Sequence, residues 1–182
     1  ALVCLALATP VMADDFVISS SDGSTNGNIA PDDIDGSDTV SLGVALLTTG
    51  AKAGIETTNV DNVDDGNTIT ISDTGSIKTA GDNAHGIASA GNKNITTVSG
   101  SIKTGDVVEG TGEFAYGIWN EGNENTTTVS GSIKTTGDYA GGIVKIGDDN
   151  RTTVSDTGSI ETAGDVAFGI ANFGNENRTT VS

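Results

Sequence analysis

The stretch GSIKTAGDNAHGIASAGNKNITTVS, residues 75–99, is matched at residues 158–182 by GSIETAGDVAFGIANFGNENRTTVS. The pentapeptide GSIKT also begins at Gly100 and at Gly131, so that the four copies start 25, 31 and 27 residues apart. Repeats with a period of this length are the signature of proteins in which each unit packs only against its neighbours. The sequence therefore predicts a stack of similar units.

Within one repeat, apolar and polar residues alternate as they do in a half-buried β-strand. Val98 and Ile102 share one parity and Lys103 has the other, so TTVSGSIKT is predicted to be a strand. A second strand is centred on a recurrent Gly-Ile pair, and Gly-Asp and Gly-Asn-x-Asn segments supply turns. The pattern predicts an all-β fold, a parallel β-helix (β-solenoid) with about five coils of roughly 25 residues.

Stacked coils would place equivalent residues in columns along the solenoid axis. Three apolar columns are predicted to point inward, because burial of each aliphatic side chain contributes roughly 1.5–3 kcal/mol. These columns are Ile77, Ile102, Ile133 and Ile160; Ile87, Ile118, Ile143 and Ile170; and Ile71, Val98, Val129, Val154 and Val181.

Asparagines recur at the end of the turn segments and form another column: Asn67, Asn94, Asn125, Asn150 and Asn177. Stacked amides can hydrogen-bond from coil to coil, which favours a structural ladder. The alternative is N-glycosylation, because the last four stand in Asn-x-Thr sequons. These sequons also follow automatically from the repeat consensus N-x-T-T-V-S.

The hexapeptide SDTGSI, at 72–77 and 155–160, resembles the Asp-Thr-Gly loop of aspartic proteases. Other repeats run Val-Ser-Gly-Ser directly, so Asp-Thr is an insertion at the same junction. Asp73 and Asp156 are therefore predicted to be turn residues of different coils. They would be too far apart to share a proton, as a protease dyad must.

The remaining candidate residues are also assigned to structure. The sole histidine, His85, occupies a position that other repeats fill with Tyr116, Gly141 and Phe168, which favours packing over catalysis. DDIDG at 32–36 does not fit the register of an EF-hand loop. A column of acidic turn residues would attract Ca²⁺ or remain simply solvated, and solvation is the favoured interpretation; its members are Asp82, Glu113, Asp138 and Asp165. We predict no catalytic, cofactor-binding or metal-binding residue.

The composition and the first residues narrow the classes of protein to which the chain can belong. The chain has 25 acidic and 8 basic residues and a net charge of −17, which argues against nucleic acid as a partner. The apolar stretch ALVCLALATPVMA, residues 1–13, predicts a signal peptide, incomplete at its start and cleaved after Ala13. Cleavage would remove Cys4, the only cysteine, and would leave a chain without disulfides.

A signal peptide followed by repeats of the form TTVS-(DT)-GSIKT-x-G-D-x-A-x-G-I resembles the passenger region of bacterial autotransporters, the type V secretion family. The resemblance covers about residues 48–182, whereas residues 14–47 are predicted to be an N-terminal cap or linker. It implies a right-handed parallel β-helix that is exported and anchored at the outer membrane, on the cell surface. It also implies further repeats and a C-terminal β-barrel translocator encoded beyond Ser182.

The favoured function is non-enzymatic, that of a stalk or adhesin. Its partner would be an unknown surface ligand: a host protein, a glycan or a neighbouring cell. The alternative is a β-helix polysaccharide lyase or hydrolase. Such chemistry requires clustered carboxylates and usually aromatic platforms, whereas here the acids recur at turns, and Tyr116 and Trp119 lie alone in one repeat.

Overall fold

The computed structural model of the protein describes residues 15–18, 25–26, 39–58, 66–105 and 112–182. The predicted signal peptide and the DDIDG segment lie outside the described residues. The described residues form strands and turns and no helix. No helix long and apolar enough to cross a membrane occurs among them.

The described strands are short, mostly of four to six residues. In chain order they are β1 (Asp15–Ile18), β2 (Thr25–Asn26), β3 (Thr39–Leu42), β4 (Ala45–Thr49), β5 (Ile55–Thr58), β6 (Thr68–Ile71), β7 (Ser76–Ala80), β8 (Ile87–Ala90), β9 (Ile95–Val98), β10 (Ser101–Thr104), β11 (Ile118–Glu121), β12 (Thr126–Val129), β13 (Ser132–Thr136), β14 (Gly141–Ile146), β15 (Arg151–Val154), β16 (Ser159–Ala163), β17 (Phe168–Phe173) and β18 (Arg178–Val181).

The strands form three parallel sheets that the chain visits in turn. A seven-stranded sheet has the order β1-β3-β6-β9-β12-β15-β18, a six-stranded sheet the order β16-β13-β10-β7-β4-β2, and a five-stranded sheet the order β17-β14-β11-β8-β5. Equivalent residues pair in register, as Ile102 does with Ile77 and Ile133. The result is a β-solenoid of about five turns with a repeat of about 27 residues, which confirms the predicted fold class.

The prediction of one continuous strand through TTVSGSIKT is wrong. Its residues form β9 and β10, which belong to different sheets and meet at a corner at Ser99 and Gly100. The N–H groups of both corner residues donate to the carbonyl of Ile71, at 2.8 and 3.3 Å, which turns the chain against the preceding coil. A Cβ atom on Gly100 would lie 2.0 Å from the carbonyl oxygen of Gly75, so only glycine allows this approach.

The three predicted apolar columns form the core. Their members in the inner coils are almost completely buried, and Ile160 and Ile170 are partly buried against them. Val181 continues its column in register with Val154 but is 67% exposed, because no described coil covers it. Lys134, of opposite parity, points outward and pairs with Glu161 at 2.8 Å.

The glycines of the Gly-Ile pairs mark further places where neighbouring coils approach closely. A Cβ atom on Gly117 would lie 2.3 Å from Cγ2 of Ile133 and 2.6 Å from the carbonyl oxygen of Gly142. The glycine thus allows the isoleucine column to pack against the corner.

Candidate functional site

Four coils turn from the six-stranded to the five-stranded sheet through a Gly-Asp/Glu-x-Ala segment, here termed the acidic corner: residues 81–84, 112–115, 137–140 and 164–167. The acidic residue of each segment is exposed. Oδ1 of Asp82 accepts hydrogen bonds from the N–H groups of Gly112 and Glu113, at 2.8 and 3.1 Å. Oδ1 of Asp138 accepts one from the N–H of Asp165 at 2.8 Å. These aspartates therefore join consecutive coils in addition to facing solvent.

The residue after each acid has a left-handed backbone, with φ between 55 and 57°; the four are Asn83, Phe114, Tyr139 and Val166. This conformation directs the N–H of the first three to the carbonyl of the acidic residue in the next coil, at 2.8, 3.1 and 2.8 Å. It costs a residue other than glycine roughly 1–2 kcal/mol, least for Asn, and a β-branched residue there is a genuine outlier. The acidic corner therefore holds backbone strain.

The left-handed positions also expose apolar side chains. Phe114, Tyr139 and Val166 are 41%, 46% and 68% exposed, and together they are termed the apolar ridge. The rings of Phe114 and Tyr139 stack with their centroids 5.1 Å apart. The ridge runs along the solenoid axis beside the acidic column.

A second group of rings follows the buried alanines of the acidic corner. His85 stacks with Tyr116 and Trp119 at centroid distances of 5.2 and 5.7 Å, and Tyr116 lies 5.2 Å from Trp119. Phe168 lies 6.1 Å from Tyr116 and covers Gly141, where an added Cβ would meet its ring at 2.4 Å. The sequence interpretation that Tyr116 and Trp119 lie alone is therefore wrong, because coil stacking joins them to rings of other repeats.

His85 is a packing residue, as predicted. Its Nδ1 accepts a hydrogen bond from the N–H of Tyr116 at 3.1 Å, which places the imidazole proton on Nε2. Burial lowers the pKa of His85 to about 4, so the ring is neutral at physiological pH. Burial also raises the pKa of Tyr116.

Four coils turn from the five-stranded to the seven-stranded sheet through a Gly-Asn/Asp-x-Asn segment, here termed the amide corner: residues 91–94, 122–125, 147–150 and 174–177. The predicted asparagine ladder is confirmed in this corner. From Asn67 to Asn150, the N–H of each ladder asparagine donates to Oδ1 of the next, at 2.7–2.9 Å. The bonds run from backbone to side chain, not from amide to amide. Asn94 and Asn125 are completely buried, so the folded chain leaves no room for a glycan on them.

Sequence reasoning missed a second ladder in the same corner. Oδ1 of the first Asn or Asp in a segment accepts the N–H of its counterpart in the next coil, at 2.6–2.8 Å. Three such bonds join four residues: Asn92 accepts from Asn123, Asn123 from Asp148, and Asp148 from Asn175. The left-handed residues between the two ladders are all polar: Lys93, Glu124, Asp149 and Glu176. The signal that could have revealed this ladder is the repeated Asn or Asp directly after the corner glycine.

Lys145 is the second feature that sequence reasoning missed. It is completely buried and lies in register with Asn120 and Asn172, pointing into the solenoid. Its Nζ donates to the carbonyls of Asn125 and Arg151, at 3.0 and 2.5 Å, and so holds the amide corner from inside. Burial lowers its pKa to about 7. The alternation within β14, Gly-Gly-Ile-Val-Lys-Ile, could have predicted an inward Lys145, because Lys145 has the same parity as the inward Ile143.

The protease-like aspartates lie in turns, as predicted. Asp73 and Asp156 are exposed and stand three coils apart, which is roughly 14 Å along the axis. Within the part of the chain that the structure describes, no three His, Cys, Asp or Glu side chains are grouped so as to hold a metal ion.

Comparisons with protein-family models, with curated proteins and with solved structures found no match for this chain.

Proposed function

We propose that this chain is a cell-surface passenger of an autotransporter that acts as a structural stalk or adhesin. The observation that carries the proposal is the uniform joining of successive coils. Parallel pairing in three sheets and hydrogen bonds at two corners repeat from coil to coil. A stack joined in the same way at each step can be lengthened by adding repeats, without any new kind of contact.

The charges of the chain support an exported, solvent-facing role. The net charge is −17, and the described corner acids are exposed. A large net charge keeps a protein soluble and limits self-association. The only cysteine belongs to the predicted signal peptide, so the mature repeats would fold without disulfides.

The positions of the ionisable groups favour a non-enzymatic role over a polysaccharide lyase or hydrolase. Polysaccharide cleavage needs paired carboxylates on either side of a bond. The acids of the acidic corner instead form one column along an edge of the solenoid. Among the described residues, His85 and Lys145 are the side chains whose pKa burial lowers; they hold backbone or ring neighbours and lie in different coils.

Removal of one whole coil tests the stalk role. Deleting residues 126–150 joins Asn125 to Arg151 and reproduces the natural junction between Asn150 and Arg151. With an epitope tag inserted between Asp73 and Thr74, the complete gene product should be labelled on intact cells with and without this deletion. Deleting only residues 126–138 is the control, because it destroys the register and should abolish display.

Labelling that appears only after cells are permeabilised would contradict the proposal. Adhesion of cells to one another or to a surface should depend on the displayed passenger and should weaken when it is shaved off with protease. Release of reducing or unsaturated sugar ends from polysaccharides by the purified chain would instead favour the enzymatic alternative.

A further inference from the structure

We infer that the apolar ridge, Phe114, Tyr139 and Val166, together with the acidic column beside it, binds a basic amphipathic peptide segment of a partner protein. The inference rests on the proposed function, since it names the class of partner that an adhesive passenger would contact.

The side chains of the ridge are not required by the fold. The left-handed backbone lets Phe114 and Tyr139 donate their N–H groups to the next coil, and Asn83 makes the same bond. Asn tolerates the left-handed region, whereas bulky and β-branched residues there are outliers. Phe114 and Tyr139 lie between described coils on both sides and still combine a left-handed backbone with 41% and 46% exposure of their side chains. Strained backbone is maintained by the structure around it and is concentrated at functional sites.

The amide corner provides an internal comparison. Its left-handed residues have nearly the same φ, 55–59°, and donate similar bonds to the next coil, as Glu124 does to the carbonyl of Asp148 at 3.0 Å. All four of its left-handed residues are polar. The backbone geometry of a corner therefore does not select apolar residues, and their presence at the acidic corner needs a separate cause.

Charge identifies the partner. The ridge residues directly follow the exposed acids Glu113, Asp138 and Asp165 in sequence, so apolar and acidic columns run side by side. A segment with apolar side chains flanked by Lys or Arg complements both columns. A second copy of this chain, which also carries a charge of −17, or an anionic lipid surface would be repelled.

The geometry of the rings argues against a sugar ligand. Sugars stack on the open face of an aromatic ring, but these rings lie face to face with one another. Phe114 and Tyr139 are 13° from parallel, and His85, Tyr116 and Trp119 lie within 26° of one another. The faces that these rings turn toward one another are therefore closed to a sugar ring, whereas an aliphatic side chain can pack along the edges of the rings.

The test compares two synthetic peptides of about eight residues, one alternating Lys with Leu and the other alternating Lys with Ser. Isothermal titration calorimetry with the purified 182-residue chain measures the affinity for each peptide. We expect the Lys/Leu peptide to bind at least about tenfold more tightly than the Lys/Ser peptide.

The double variant Phe114→Asn/Tyr139→Asn should abolish this preference, because Asn keeps the corner geometry and removes the apolar surface. The matched control, Lys93→Asn/Glu124→Asn at the amide corner, leaves net charge unchanged and should retain it. The double variant Asp138→Asn/Asp165→Asn should weaken the binding of both peptides and should make that binding less dependent on salt concentration.

Equal binding of the two peptides, or a preference that survives in the ridge variant, would overturn the inference. Tighter binding of a neutral glucan oligomer or of anionic vesicles would overturn it in favour of those ligands. Surface labelling in the coil-deletion experiment is independent of peptide binding, so failure of the inference is distinguishable from failure of the proposed function.

Discussion

The acidic and amide corners lie at opposite ends of the strands of the five-stranded sheet. Both contain a left-handed residue, but their side chains differ. In both corners, glycine is followed by an acidic or amide residue, and then by a left-handed residue. Side-chain oxygens at the second position accept from the next coil, as those of Asn92 and Asp138 do. The last position is a buried Asn at the amide corner and a small Ala, such as Ala115, at the acidic corner. The amide corner is therefore stabilised by buried hydrogen bonds, and the acidic corner mainly by packing and by solvent-exposed contacts.

The comparison shows which features of a corner are required by stacking. The glycine and the left-handed backbone occur in both corners, so the geometry of a close coil-to-coil turn requires them. The side chain at the left-handed position is free to vary, and it differs most between the corners. Substitutions in one corner at a time test whether the two corners differ in this way.

The largest effect is expected for Lys145, which holds the amide corner from inside. Its pKa is about 7 in the fold against 10.5 for an ordinary lysine, so between these pH values the unfolded chain binds a proton that the native chain does not. The free energy of unfolding should therefore rise with pH through this window, by on the order of 4–5 kcal/mol. Below pH 7 the folded chain bears the full cost of burying a charged Lys145.

Lys145→Asn, which matches Asn120 and Asn172, should remove this dependence and make the protein more stable at neutral pH. The measurement is the free energy of urea unfolding at about pH 7 and about pH 10. Lys134→Asn, at an exposed position, is the control and should retain the wild-type slope. Parallel pH curves for wild type and Lys145→Asn would show that Lys145 is not buried as described.

The second prediction compares one ladder residue from each corner. Asn125→Ala should cost about 1–3 kcal/mol, because it leaves the buried N–H of Asn94 without its acceptor. Asp138→Ala should cost within about 0.5 kcal/mol, because water can replace the exposed carboxylate at the N–H of Asp165. Denaturation midpoints measure both. Equal losses would mean that the two ladders contribute alike.

The third prediction concerns the left-handed residues. Val166→Asn should stabilise the fold by about 1 kcal/mol, because it relieves the strain of a β-branched residue. Tyr139→Asn should change stability little, because relief of strain is offset by loss of the ring stack with Phe114, worth roughly 0.5–1.5 kcal/mol. The measurement is the melting temperature of both variants, compared with that of Glu124→Asn at the left-handed position of the amide corner. A destabilised Val166→Asn would contradict the strain described at the acidic corner.

The smallest effect is expected from calcium at the acidic corner. The carboxylates of Asp82 and Asp138 accept backbone hydrogen bonds and face solvent, so millimolar Ca²⁺ should leave the melting temperature close to that of a control of equal ionic strength. Asp138→Asn should behave in the same way. A specific rise in melting temperature that disappears in Asp138→Asn would reveal a calcium site in the acidic column.

Much of the solenoid could be predicted because its contacts repeat with the sequence. In a parallel stack in register, equivalent residues of successive repeats become spatial neighbours, so aligning the repeats amounts to identifying contacts. For this reason the isoleucine columns and the asparagine ladder were found correctly. The groups that the ladder bonds join were not predicted correctly, because a side-chain amide next to a backbone N–H has several possible partners.

The missed features depend on how side chains lie across coils. Phe168 fills the space at Gly141, which an alignment presents as a gap in the ring column. Lys145 belongs to an inward column whose other members are polar but uncharged, and charge alone predicts an outward side chain. The corner at Gly100 was hidden because residues on both sides of it keep the same inward parity.

The sequence by itself determined the all-β fold, the repeat length, the residues of the core columns and the position of the turns, because these follow from periodicity and from residue size. Only the tertiary structure decided where the chain bends into three sheets, that Lys145 is buried, and that rings from separate repeats meet at the acidic corner. Such features depend on the close approach of coils about 4.8 Å apart. At that distance, the room beside a glycine and the reach of a neighbouring side chain decide which groups touch.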